Sequence, residues 1–230
     1  GCRCIDCGFV LSETGTSWPT CKPLARELLK TPETSSAPGA RNKQVFTLNG
    51  GMGTHIDAPS HFIPGGRTIE MLKTEELAGI PLAVVNIAGA VADNVDYACR
   101  AEDVLADEAQ YGRIPDGALV CVRTGWADSR YNDAAAYYNV VDPEDKDPYT
   151  GMPRMHFPGL AVEAATLLVE ERHALGIGID TLSPDPGASS GFGVHHVILG
   201  QDRYILENLR LTDELPPRGA IAFVAPLNVA

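Results

Sequence analysis

The chain has 230 residues and a formal net charge of −12, from 18 Lys and Arg against 30 Asp and Glu, with 44% apolar and 21% charged residues. These proportions belong to a globular protein with a substantial core, and they exclude a disordered chain. Clustered base is lacking, which excludes nucleic acid as the main partner. An acidic surface also repels anionic lipid and polyphosphate, so a small-molecule substrate is expected, with no nucleic acid and no membrane.

The first residues, Gly1-Cys2-Arg3-Cys4-Ile5-Asp6-Cys7, do not resemble a signal peptide. A cytoplasmic location is expected, with a leader removed ahead of Gly1 left open. Cys2, Cys4, Cys7 and Cys21 crowd this end. Their spacing lacks the paired C-x2-C geometry of common structural zinc sites, and reduced thiols on or near an opening strand are expected. A short helix is predicted over Leu24–Lys30, and the Pro, Ser and Thr of Thr31–Arg41 predict an exposed loop.

Nearly continuous apolar runs, several of them β-branched, predict buried strands at Val45–Leu48, Leu82–Ala88, Leu119–Arg123, Leu175–Ile179 and Ile221–Ala225. Gly79–Ala92, within a longer uncharged stretch that begins at Leu77, falls short of the roughly 20 apolar residues of a spanning helix. A short helix is predicted over Glu102–Tyr111, and Asn139–Met155 is a polar excursion rich in Pro, Asp and Glu. The strongest helical pattern is Leu160–His173, where Val162, Ala165, Leu168, Val169 and Arg172 recur at spacings of three and four. The mixture predicts one α/β or α+β domain spanning 1–230. Gly50-Gly51-Met52-Gly53 is no dinucleotide loop, because Pro59 follows where a helix would have to start.

Chemistry concentrates in Gly53-Thr54-His55-Ile56-Asp57-Ala58-Pro59-Ser60-His61-Phe62. Side chains alternate along an extended chain, so His55, Asp57, Pro59 and His61 share one side. Two imidazoles and a carboxylate make a mixed N/O set suited to Zn²⁺ or Mn²⁺. Pro59 interrupts regular strand, which places His61 beside the metal rather than on it. The competing reading is a polar loop with two incidental histidines. Farther on, either His195 or His196 starts or lines a helix, with Glu207 on a strand-like run after it. Alone, such a pair reads as structural. Asp180, at a strand end, caps a turn as readily as it assists catalysis. A serine nucleophile is not expected: Gly187-Ala188-Ser189-Ser190-Gly191 has the letters of a G-x-S-x-G elbow, but no apolar strand run leads directly into it.

Gly53-Thr54-His55-Ile56-Asp57-Ala58-Pro59-Ser60-His61 resembles the H-x-G-T-H-x-D-x-P-x-H signature of the Putative cyclase family of metal-dependent hydrolases, which includes bacterial kynurenine formamidases and isatin hydrolases. Ser17-Trp18-Pro19, Arg123-Thr124-Gly125-Trp126, His156-Phe157-Pro158-Gly159-Leu160, Gly178-Ile179-Asp180-Thr181 and His195 through Glu207-Asn208-Leu209 are similar to further family landmarks in the same order. The resemblance implies a compact mixed-sheet domain of the swivelling β/β/α type, assembled as a homodimer or homotetramer with the site near a subunit contact. It implies His55, Asp57, His195 and Glu207 as ligands of one or two divalent ions, zinc or manganese. Asp57 is able to bridge two, and His61 carries the proton. The expected reaction is hydrolysis of an amide C–N bond, with Trp18 and Phe62 packing against an aromatic or cyclic substrate. One departure is plain: the family's first ligand His falls at Gly51. It motivates a second expectation, a family member that has lost chemistry and acts as a binding or interaction protein. A third is a metal module formed by the N-terminal cysteines on a structural domain.

Overall fold

The computed structural model describes residues 3–30 and 41–228. Cys2 and most of the expected loop over Thr31–Arg41 lie outside them. β1 (Ala25–Lys30) and β2 (Lys43–Thr47) pair antiparallel as a hairpin. The central sheet has six strands: β3 (His55–Asp57), β4 (Ala78–Asn86), β6 (Leu119–Arg123), β8 (Gly176–Ile179), β9 (Tyr204–Glu207) and β10 (Ala220–Phe223). Their order is β10-β4-β6-β8-β9-β3. The inner four run parallel, and both edge strands are antiparallel to their neighbours. β5 (Ala98–Cys99) and β7 (Gly159–Leu160) form a small parallel pair outside it.

Parallel strands need crossovers, and helices supply the covering layers. They are α1 (Thr74–Leu77), α2 (Ala88–Asp93), α3 (Ala101–Tyr111), α4 (Ala127–Arg130), α5 (Ala134–Tyr138), α6 (Val162–Thr166) and α7 (Gly193–Gly200). Alternation sorts the strand residues between two cores. Val85, Val120, Val122, Ile177, Ile179 and Ile205 pack with residues of α3, α6 and α7 on one face. Ile80, Leu82, Val84, Leu119, Tyr204 and Leu206 pack on the other. Among the described residues no helix is long and apolar enough to cross a membrane.

The strands expected at Leu82–Ala88, Leu119–Arg123 and Leu175–Ile179 are found within a few residues, and Glu102–Tyr111 is α3. Val45–Leu48 and Ile221–Ala225 also fall on strands, β2 and β10, but these are not buried: β2 is exposed throughout, and β10, at the sheet edge, exposes Ile221 and Phe223. Two further expectations change. Leu24–Lys30 is strand β1 rather than helix. Its pairing with β2 decides the backbone, and all of β2 is exposed, so neither strand carries the alternation that marks a core face. Leu160–His173 breaks into β7, α6 and a π-helical turn at Leu167–Glu171. The wider turn lets Arg172, buried though charged, reach Glu108 through two hydrogen bonds of 2.8 and 2.9 Å. Cys4 and Cys7 lie in irregular chain, and Cys4, Cys7, Cys21, Cys99 and Cys121 are free thiols.

Candidate metal centre

The centre forms where edge strand β3 meets β9. Their register sets His55 directly opposite Glu207 and Asp57 opposite Ile205, so all three polar side chains emerge on the face that α7 covers. The chain leaves β3 at Pro59 into a 3-10 turn, Pro59–His61, because proline cannot donate to a ladder. That turn swings the His61 side chain out into a cleft, half exposed at 52%, with Nε2 still 4.0 Å from Asp57 Oδ2. Across the cleft, α7 presents His195 from its first turn and leaves His196 exposed.

Four donors converge at the buried end. His55 Nε2 lies 3.3 Å from Glu207 Oε2 and 3.7 Å from Asp57 Oδ1. His195 Nε2 lies 3.2 Å from Glu207 Oε1 and 3.7 Å from Asp57 Oδ2. Two sets of three have ligand atoms mutually within 4.8 Å: His55, Asp57 and Glu207, and Asp57, His61 and His195. Asp57 belongs to both. Asp57 Oδ2 and Glu207 Oε1 are buried without a hydrogen-bond partner. A carboxylate oxygen left so pays desolvation unanswered unless a cation meets it, and the donor set suits such an ion.

Each imidazole is oriented from behind. His195 Nδ1 lies 2.7 Å from Asp185 Oδ2, and Asp185 also accepts the Val194 and His195 backbone N–H groups at 2.8 and 3.1 Å. His55 Nδ1 lies 2.8 Å from the Gly53 carbonyl oxygen. The second ring nitrogens are thereby left for the centre. Burial alone would lower the His55 pKa, but Glu207 and Asp57 outweigh it and raise it to about 9. Burial is likewise outweighed at His195, which Asp185, Asp57 and Glu207 raise well above the ordinary value. Burial would raise the Asp57 carboxyl, yet the imidazoles of His195, His55 and His61 around it hold it low.

Trp18 and Phe62 both line the cleft. The Phe62 ring is 4.6 Å from that of His195, and Trp18 reaches it only through Phe192, 6.1 Å away. Phe192, which sequence reasoning missed, sits between them in a left-handed conformation, φ 52°. Asp185 and Asn208 were missed as well. Asp185 lies eight residues before α7, too far for a local capping signal. Asp180 does not reach the centre. It accepts from Thr124 N–H, Thr124 Oγ1 and Gly125 N–H at 2.6–2.9 Å, the turn-capping role, and burial raises its pKa to about 6. At Gly51 a Cβ would point towards the His55 ring, 3.5 Å from Nε2. The position thus faces the centre and contributes nothing to it.

A family model described as Putative cyclase matches residues 5–186. An isatin hydrolase of Roseibium aggregatum is 32% identical over 186 residues, which are 77% of this chain and 65% of that protein. The chain thus spans just under two thirds of that relative. A kynurenine formamidase of Bordetella pertussis is 30% identical over 172 residues, 75% of this chain and 67% of that one. Among solved structures, isatin hydrolase A from Ralstonia solanacearum superposes with a TM-score of 0.85 at 30% identity, covering 98% of this chain and 86% of that one.

Proposed function

The chain belongs to the Putative cyclase family, and from that membership we propose that it is a metal-dependent hydrolase cleaving an amide C–N bond of a small aromatic or cyclic substrate. The observation that carries this reading is the pair of buried carboxylate oxygens, Asp57 Oδ2 and Glu207 Oε1, left unpaired between two oriented imidazoles. His55, Asp57, Glu207 and His195 would hold one or two divalent ions, zinc or manganese. When bound, such an ion lowers the pKa of water from about 15.7 towards 7 and polarises a carbonyl.

The chain's own groups divide the remaining work. His61, exposed to the cleft and 4.0 Å from Asp57 Oδ2, accepts a proton from the attacking water and returns it to the departing nitrogen. Asp57 holds the His61 imidazole by charge on the side away from solvent. Phe62, Phe192 and, farther out, Trp18 form an aromatic wall beside the ligands, against which a planar ring stacks and from which water is excluded. Gly51 supports a second reading, a member with a weakened centre that binds without turnover, since the position facing His55 offers no donor.

Elemental analysis before and after reconstitution with Zn²⁺ or Mn²⁺, followed by assays on N-formyl aromatic amines and cyclic amides, tests the first reading against the second. One or two retained equivalents with turnover support hydrolysis. Retention without turnover favours the binding protein, and no retention removes the metal from both. His61→Ala should abolish turnover while metal content stays nearly intact; lost metal would make His61 a ligand instead. We further propose one domain spanning 1–230 and a homodimer or homotetramer. The exposed apolar residues Leu28, Val45 and Phe46 of the β1–β2 hairpin support the assembly. A monomeric mass by light scattering would count against it.

A further inference from the structure

Directly after Glu207, the chain turns through Asn208, a residue only 1% exposed and held in the left-handed region at φ 54°. Every polar atom of Asn208 is engaged. Its backbone N–H donates to the Thr181 carbonyl at 2.9 Å, and its own carbonyl accepts from Thr54 Oγ1. Its side-chain Oδ1 accepts from the Tyr137 hydroxyl at 3.0 Å. Its Nδ2 donates to the Gly53 carbonyl oxygen at 3.0 Å, the same oxygen that faces His55 Nδ1 at 2.8 Å.

We propose that Asn208 is a positioning residue for the metal centre, fixing the Gly53 carbonyl that in turn fixes the His55 ring. The proposal rests on the metal reading above. A carbonyl oxygen only accepts, so the nitrogen of the Asn208 amide must face Gly53, and His55 Nδ1 must carry its hydrogen. Neutral His55 then has its lone pair on Nε2, towards Glu207 and Asp57. The tie is needed because Gly53, at φ 61°, lacks the Cβ that would restrict its backbone. Without a second donor the Gly53–Thr54 peptide is free to rotate its oxygen away from Nδ1. The ring then loses both its tautomer and its aim. Asn suits the post by two properties at once: its tolerance of positive φ and an amide with a donor on one arm and an acceptor on the other.

Cobalt(II) titration of the purified protein tests this, reading affinity by chelator competition and geometry by the visible d–d spectrum. Asn208→Gly keeps the left-handed backbone and deletes the amide. Asn208→Asp keeps the shape and sets an oxygen against the Gly53 carbonyl. Both, checked for native circular dichroism, are expected to bind cobalt about 10–100-fold more weakly and with an altered spectrum. Tyr137→Phe removes a buried hydroxyl from the far arm while leaving Gly53 paired. It should lower Tm yet keep the wild-type spectrum and affinity to within about twofold, well short of the change expected when a ligand's own support is removed. Folded Asn208 variants with wild-type affinity and spectrum would overturn the proposal alone. So would losses in Tyr137→Phe equal to theirs, which would make the role merely structural. If the wild type takes up no cobalt, the metal reading falls and this proposal with it.

Discussion

Without a bound cation, protons on His55 and His195 supply the positive charge that Asp57 and Glu207 require. Because His55 is raised to about 9, its imidazolium stabilises the metal-free fold below the ordinary pKa of 6.5, and that contribution fades as pH rises through 9. Proton and cation compete for one nitrogen. Zinc affinity should therefore climb from pH 6 to 9 by about tenfold per pH unit for each proton displaced, with proton release on binding. Calorimetry in buffers of differing ionisation enthalpy reads both quantities, and a flat profile would show that neither imidazole is a ligand. Position 51 gives a second residue-scale outcome. A Cβ there has the His55 ring as its nearest neighbour, at an ordinary contact distance of 3.5 Å, so Gly51→His starts an added imidazole beside the centre without a backbone clash at Cβ. Zinc affinity should rise by about tenfold or more, some 1.4 kcal/mol, in the same competition assay.

At the scale of the element, β8 shows how a strand is shaped by its neighbours. Ile177 and Ile179 fill one face, while Gly176 and Gly178 leave the other clear for the Tyr204 ring and for Leu209. A Cβ on Gly176 would come within 2.2 Å of the Tyr204 ring. Gly176→Ala should accordingly cost about 1–3 kcal/mol in urea unfolding, through overpacking. Gly89→Ala, in α2 with nothing within 4 Å, should be neutral or gain about 0.5–1 kcal/mol. The central strands were legible because burial on both faces demands unbroken apolar runs, as in Leu119–Arg123. β1 was not, because its two exposed leucines, Leu28 and Leu29, serve no core face that a pattern reveals. His55 and Asp57 were legible from alternation alone. His195 and Glu207 entered as ligands only through family likeness, since their approach depends on α7 and on the β3–β9 register. Asp185, Phe192 and Asn208 left no local signal, because each acts on a group far away in the chain.

The whole molecule gathers its centre from three distant stretches: residues 55–61, His195 and Glu207. The stretch matched by the family model ends at residue 186, so two of the four proposed ligands lie beyond it. The sheet resolves this separation by placing β3 at its edge, held on one side only, by β9. One flank of the cleft is thus a three-residue strand, and the other is an eight-residue helix anchored through Asp185 to the preceding loop.

That edge position bears on the order of folding. Gly53 and Asn208, which meet across it, are 155 residues apart in the chain. Closing so long a loop yields little until the parallel core already exists, so β3 docks late. A cation shared between β3, β9 and α7 then acts as a clasp on the last strand to close, not as a template for the first. At 100 times its dissociation constant it adds about 2.7 kcal/mol, and contacts made after the transition state slow unfolding while leaving the refolding rate unchanged. Stopped-flow refolding in zinc and in chelator should therefore coincide, while the unfolding arms separate about a hundredfold. Chelation would reopen the molecule first along the β3 edge.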